Sequence, residues 1–314
     1  MIGDGMGLTQ MSAFMYANGN KAIVEKFPIV GFQKTQSANN LVTDSAGAAT
    51  AMACGEKTHN SAIGVDIDTM PCKTILETFE ERGLATGLVA TASIVHATPA
   101  AFIAHVDLRN FYESIAEDFL ETEIDYFVGG GEKYFSDRKN DKKDLIRTLK
   151  DKGYYVTEYS PTSRDFDREK IAWFTAQAEP TAFGAGRTYL PGATYFGMKF
   201  LDMKSENGFF MMVEGSQIDW ACHYNDQRMF LEEMTDFNRA VAKALDFASK
   251  DKETLVIVTG DHECGGMAIN EGTMFGKVNL EFTTNGHTGT MVPVYAYGPG
   301  AELFSGIYEN TAIH

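Results

Sequence analysis

Asp219 and His223 stand four residues apart in the segment IDWACHYND, a spacing that puts a carboxylate and an imidazole on one face of a helix, one turn apart. That is a metal-ligand spacing. Asp261 and His262 are adjacent and follow the apolar run TLVIVTG directly. At a strand-to-loop exit two such neighbours can address one centre through different bonds. Asp4 closes the opening segment, Glu214 follows FFMMV, and His287 sits in the glycine-bounded NGHTG. Carboxylates and imidazoles without a thiolate suit Zn²⁺ in a catalytic rather than a structural site. Each residue also has a plainer reading: an Asp after a strand caps a helix or forms a turn, an i,i+4 Asp/His pair is usually a solvated helix face, and a lone loop histidine needs no ligand. The case rests on coincidence, because these groups all fall at predicted strand exits, where ligands collect in open α/β sheets.

A second signal is TDSAGAATAMACGEKT at 43–58. Asp44 and Ser45 precede a run of Ala, Gly, Thr and Met that predicts a tightly packed helix, so Ser45 sits at an N-terminus where free N–H groups and the helix dipole favour a phosphate. The plainer alternative is an ordinary Ser or Asp cap. No GxSxG elbow surrounds Ser45, so something other than a histidine base must activate its hydroxyl. Arg109, in HVDLRNFY, is the third element: a guanidinium can hold two phosphate oxygens at once, although an isolated Arg on a helix is usually a surface residue.

The elements that must position these groups are legible as apolar runs. The segments 84–91, 126–130, 208–215, 254–262 and 292–298 are continuous and apolar and end near Gly, Asp or Glu, which predicts buried strands of a mainly parallel sheet. Between them, 73–82, 141–152 and 223–250 carry apolar residues at helical spacing, with Gly83 and Gly153 where C-terminal caps belong. The alternation gives the fold class: α/β, a mainly parallel central sheet with helices on both faces. No linker or repeat divides the chain, which reads as one domain over 1–314. The stretch 158–192, rich in Pro, Thr and Gly, reads as an insertion or lid over the sheet. Met1 to Gly5 looks like the end of a strand, so the first strand reads as truncated and no signal peptide is visible.

The 314 residues leave ample sequence for a core without a metal or disulfide to staple it. A formal net charge of −16 disfavours a nucleic-acid partner bound through massed phosphates. No apolar stretch reaches the roughly 18 residues of a membrane span. Cys54, Cys72, Cys222 and Cys264 are too few and too dispersed for a disulfide scaffold or a zinc ribbon.

GDGMG at 3–7, TDSAGAATAMACGEKTHNSAIGVD at 43–66, HATPAAFIAHVDLR at 96–109, VEGSQIDWACH at 213–223, TGDHECGG at 259–266 and GHTG at 286–289 together closely resemble the alkaline phosphatases. The six segments occur in order from the first residues onward, with a weaker stretch at about 120–205. The resemblance implies a phosphomonoesterase acting on small-molecule phosphate monoesters through a phosphoserine at Ser45. It implies two Zn²⁺ ions, one held by Asp4, Asp261 and His262 and the other by Asp219, His223 and His287. A third metal, usually Mg²⁺ and alternatively Zn²⁺, would take Asp4, Thr98 and Glu214, and Arg109 would grip the phosphate. A homodimer and a periplasmic or secreted location are implied as well. His96 and Trp220 depart from the pattern, standing where other members carry Asp and Lys, and bear on the third metal and on phosphate binding. The crown-like insertion that some relatives carry at the dimer interface is expected to be reduced or absent.

Three competing readings remain at this stage. A phosphodiesterase of the same superfamily generally uses a threonine nucleophile and lacks the third-metal ligands, and a sulfatase needs a CxPxR-like motif; neither pattern occurs here. A noncatalytic phosphate- or metal-binding relative would have no use for Ser45. A dinucleotide-binding protein fails because Gly3, Gly5 and Gly7 do not match GxGxxG.

Overall fold

The computed structural model describes residues 1–314. Its strands are β1 (Ile2–Gly3), β2 (Ile29–Lys34), β3 (Ala85–Ser93), β4 (Tyr126–Gly130), β5 (Tyr154–Thr157), β6 (Lys170–Phe174), β7 (Phe209–Gly215), β8 (Val256–Gly260), β9 (Glu263–Cys264), β10 (Met267–Ile269), β11 (Leu280–Phe282), β12 (His287–Thr288), β13 (Val292–Tyr297) and β14 (Gly306–Glu309). The helices are α1 (Leu8–Ala17), α2 (Ser45–Cys54), α3 (Ile75–Glu81), α4 (Ala97–Ala100), α5 (Tyr112–Glu121), α6 (Lys133–Ser136), α7 (Leu145–Asp151), α8 (Leu190–Lys204), α9 (Gln217–His223) and α10 (Gln227–Asp251).

Ten strands form one sheet in the order β14-β2-β13-β8-β1-β7-β3-β4-β6-β5. Only β13 runs antiparallel to its neighbours, β2 and β8. The apolar interior divides into two clusters, one built largely on α8 and α10, the other on α2 to α5. β3 shows why its run is apolar throughout: all nine residues are buried, with Val89 facing the first cluster and Leu88 and Ala90 the second. A strand covered on both faces has no solvent side to alternate toward.

Local signals set the helix ends. Thr74 caps α3 with a reciprocal Glu77 capping box, and Gly83 just beyond it takes a φ of +74°. Three expectations need correction. The helix expected over 223–250 is α10, which starts only at Gln227: the preceding α9 stops at His223, Asn225 turns left-handed at φ +52°, and Asp226 caps α10 through the N–H groups of Arg228 and Met229. The 158–192 stretch is not wholly a covering segment, because β6 lies inside the sheet between β4 and β5, with Trp173 and Phe174 buried. Arg109 sits in the loop between α4 and α5 rather than on a helix, and its N–H donates to the Ser61 carbonyl. The sequence reading also passes over β2, β5 and β6, none of which carries a long apolar run.

Candidate active site

β8, β1, β7 and β3 are consecutive neighbours running the same way, so their carboxyl ends open onto one edge of the sheet. Asp4 leaves β1, Asp261 and His262 leave β8, Glu214 ends β7, and His96 and Thr98 follow β3. The separate signals in the sequence thereby become one place. Gly5 holds the turn after Asp4 at a φ of +70°, where a Cβ would meet Cys264 Cβ at 2.9 Å and Asp219 Cα at 3.0 Å. Only glycine fits there, and its N–H donates to Asp261 Oδ1 at 3.0 Å.

The ligating groups gather in two clusters. In the first, His262 Nε2 lies 3.4 Å from Asp4 Oδ1 and 3.2 Å from Asp261 Oδ2, and all three residues are fully buried. In the second, His223 Nε2 lies 3.1 Å from Asp219 Oδ2, and His287 Nε2 lies 3.4 Å from Asp219 Oδ1 and 3.1 Å from His223 Nε2. His223 Nδ1 faces the Asn285 carbonyl and His287 Nδ1 the Thr43 carbonyl, so each Nδ1 carries the donated proton. That tautomer leaves both Nε2 lone pairs aimed at one point beside a carboxylate, the arrangement by which outer partners orient a metal-binding histidine. The His262 and His287 rings stack at 3.6 Å and join the two clusters.

Ser45, the first residue of α2, borders the first cluster, with its Oγ 3.3 Å from His262 Nε2. Asp44 is the cap: its Oδ1 accepts from Gly47 N–H at 3.0 Å, and its Oδ2 accepts from Arg109 Nη1 at 2.9 Å. Burial alone would raise the Asp44 pKa, but the guanidinium and the backbone donors outweigh it and hold it below the usual carboxylate range. Asp44 thus fixes both the serine helix and the arginine. The sequence reading took it only as a cap, and no local signal linked it to a residue 65 positions away.

At the third position, Glu214 Oε2 accepts from Ser216 Oγ at 2.7 Å, whereas Glu214 Oε1 and Thr98 Oγ1 have no partner. His96 caps α4 nearby and meets Trp220 edge to face at 5.9 Å; burial pushes its pKa down to about 3, which keeps it neutral. Cys264 lies beside the second cluster, a contact the sequence reading did not foresee. Its thiol donates to the Asp219 carbonyl at 3.6 Å, and burial raises its pKa far above the ordinary thiol range, so it enters as a packed thiol rather than a thiolate.

Several carboxylates are buried together in the site. Burial, with Asp261 close by, raises Asp4 well above its ordinary value; burial also brings Asp261 to about 6 and Glu214 to about 8. Burial would raise Asp219 too, yet the adjoining His223 and His287 imidazoles hold it well below its ordinary value. Both Asp4 oxygens, Glu214 Oε1, Asp219 Oδ1 and Asp261 Oδ2 lack hydrogen-bond partners. Buried polar atoms normally have partners, and a buried carboxylate without one is costly. Hard oxygen donors with paired imidazoles fit divalent cations, so the residues present suit a metal centre.

Comparison with known proteins agrees with this geometry. A family model described as alkaline phosphatase matches residues 1–282. Alkaline phosphatase 3 of Bacillus subtilis is 36% identical over 401 aligned positions, spanning 100% of this chain and 86% of the relative. The solved alkaline phosphatase of the Antarctic bacterium TAB5 superposes with a TM-score of 0.94 at 42% identity, covering 99% of this chain and 94% of its own. A histidine variant of that TAB5 enzyme, with the same TM-score of 0.94, 41% identity, and coverage of 99% and 93%, holds Mg in the site designated M3.

Proposed function

The chain belongs to the alkaline phosphatase family and is a phosphomonoesterase, and we propose that it works through a phosphoserine at Ser45 with two zinc ions and one magnesium ion. Asp4, Asp261 and His262 would hold one zinc, and Asp219, His223 and His287 the other. Asp4, Thr98 and Glu214 would hold the magnesium, with zinc as the alternative there. When bound, the metals lower the pKa of the serine hydroxyl and stabilise charge on the leaving oxygen.

The chain's own residues do the rest. Ser45 Oγ attacks phosphorus in line with the ester oxygen; the Oγ–P bond forms while the P–O ester bond breaks, and the leaving oxygen keeps the electron pair. Water then displaces Ser45 from phosphorus and inorganic phosphate departs. Arg109 grips two phosphate oxygens, and Asp44 keeps its guanidinium turned toward them. The N-terminus of α2 adds its dipole to the attraction for the anion. His96 and Trp220 tune the third metal and the hold on phosphate.

The observation that carries this reading is the set of unpartnered, buried carboxylate oxygens gathered round a helix-start serine. Hydrolysis of p-nitrophenyl phosphate beside its bis-ester, before and after dialysis against a chelator, tests it. The monoester should be strongly preferred, chelation should abolish turnover, and added Zn²⁺ should restore it. Full activity in metal-free protein, or preference for the diester, would overturn the proposal.

We also read residues 1–314 as one domain, because the sheet draws strands from both ends of the chain; a single calorimetric transition is expected. A homodimer and a periplasmic or secreted location are proposed from the family resemblance, to be checked by light scattering and cell fractionation. No helix is long and apolar enough to cross a membrane. The net charge of −16 favours small phosphate esters over nucleic acid as partners.

A further inference from the structure

Among the buried carboxylates near the two clusters, Glu263 differs in having both oxygens satisfied. Its Oε1 accepts from Gln10 Nε2 at 2.6 Å and from Met267 N–H at 3.1 Å. Its Oε2 accepts from Gly266 N–H at 3.3 Å and from the Thr288 hydroxyl. A carboxylate has about four lone-pair sites, and here each has its donor. Glu263 therefore has nothing left to offer a metal, although it follows His262 directly in the chain.

The surroundings are shaped to this side chain. A Cβ on Gly7, the residue before α1, would meet Glu263 Cγ at 2.6 Å and Gln10 Oε1 at 2.8 Å, so the absence of a side chain there makes the space. Gly266 turns left-handed at φ +53° and folds the chain back after β9, which brings its own N–H and that of Met267 to the carboxylate. Gln10 Nε2 also donates to the Cys264 carbonyl at 2.7 Å, so α1 braces both residues of β9.

What the carboxylate holds is β12. That strand consists of His287 and Thr288 alone, paired antiparallel with Cys264 and Glu263. So short a ribbon is marginal by itself, and no residue from 281 to 291 is buried. A metal-ligating histidine in such a segment needs an anchor from elsewhere. The bond from Thr288 to Glu263 supplies it one residue beyond His287, whose ring is then located by the Thr43 carbonyl at 2.8 Å and by the His262 ring stacked at 3.6 Å.

We propose that Glu263 is a positioning residue: through Thr288 it sets His287 against His262 and so fixes the spacing of the two metal-binding clusters. The proposal rests on His287 being a zinc ligand. It assigns Glu263 no contact with substrate or metal, and it gives Gln10 the task of holding the carboxylate in place.

The test uses the full chain loaded with zinc. Thr288→Val keeps the shape of the side chain and removes the hydroxyl; Glu263→Gln keeps the shape and turns an amide NH₂ toward donors. In competition with a chelating dye, each variant should bind one of its two zinc ions about 10- to 100-fold more weakly. The double variant should bind it no more weakly than Glu263→Gln alone, because both changes cut the same path. The ring-proton NMR signals of His262 and His287, which carry the ring current of the stack, should shift in both variants. Those signals can be read without zinc, so a parent chain that binds none would strike the metal assignment, and the shift would still decide whether Glu263 positions the ring. Should Glu263→Gln not fold, Thr288→Val, at a half-buried position, decides by zinc affinity and ring signals. The proposal is overturned by unshifted signals, by zinc affinity that is unchanged or equally weakened at both sites in Thr288→Val, or by losses that multiply in the double variant.

Discussion

Two groups of charged side chains are buried in this molecule, and they are built in opposite ways. Around Arg187, the Nη2 donates to Glu233 at 2.6 Å and to Asp236 at 2.9 Å, and Glu233 also accepts from Phe183 N–H. The chain supplies its own cation there. Around Asp4 four carboxylates converge with several oxygens unpartnered, and the nearest guanidinium, on Arg109, is already held by Asp44. Both regions pay desolvation, and Arg187 Nε and Nη1 and Asp236 Oδ1 lack partners as well, but only in the first region do opposite charges of the polypeptide itself offset the cost. The contrast separates a charge cluster balanced by the chain's own arginine from one whose residues could hold metal ions, a distinction that burial and residue type alone do not make.

The sharpest way to break the comparison is to remove the cation from the compensated cluster. Arg187→Met strands two buried carboxylates and should cost about 3–5 kcal/mol of unfolding free energy, read from urea denaturation. Replacing all three members with apolar residues should recover much of that loss; a double deficit instead would show that the cluster does more than balance charge.

At the other cluster, Ser45→Ala should lower turnover by about two or more orders of magnitude and eliminate trapped phosphoenzyme, while metal content measured by mass spectrometry stays unchanged. Unchanged turnover would show that Ser45 only caps the helix. Arg109→Ala should then cost roughly 1.5–3 kcal/mol in monoester kcat/KM and much less with a diester, which offers one fewer charged oxygen. Equal losses on both substrates would make Arg109 a partner of Asp44 alone.

Between the two extremes lies a half-buried pair. His105 Nε2 is 3.1 Å from Glu77 Oε1, and that hydrogen bond raises the histidine pKa to about 9. Since the folded value lies above the unfolded one near 6.5, the pair's stabilisation is complete below about pH 6.5 and is lost as pH rises through 9. His105→Gln should therefore destabilise by about 1–2 kcal/mol at pH 6 and by far less at pH 10. A pH-independent difference in denaturation midpoint would assign the effect to packing.

The smallest expected effect concerns His96 and Trp220. Imidazole favours zinc at the third position, whereas a carboxylate favours magnesium, and Trp220 brings no positive charge to bound phosphate. The double change His96→Asp, Trp220→Lys should raise Mg²⁺ activation and lower the inhibition constant for phosphate by a few-fold, roughly the worth of one exposed charge. If neither moves, the edge-to-face pair these residues form is packing and nothing more.

The sequence by itself determined the α/β class, because apolar runs of strand length alternate with amphipathic segments and glycine caps. It also placed Asp4, Glu214, Asp261 and His262 at strand exits, where the structure has them, because each ends an apolar run. What it could not determine is whatever depends on chain direction and long-range pairing. The placement of β6 inside the sheet and the grip of Asp44 on Arg109 arise from contacts between distant segments, which local patterns do not encode. The same holds for the meeting of the two clusters at the stacked His262 and His287 rings, next to Ser45. It follows from β1 lying between β7 and β8, a neighbour order that no single segment specifies and that packing on both faces of the sheet decides.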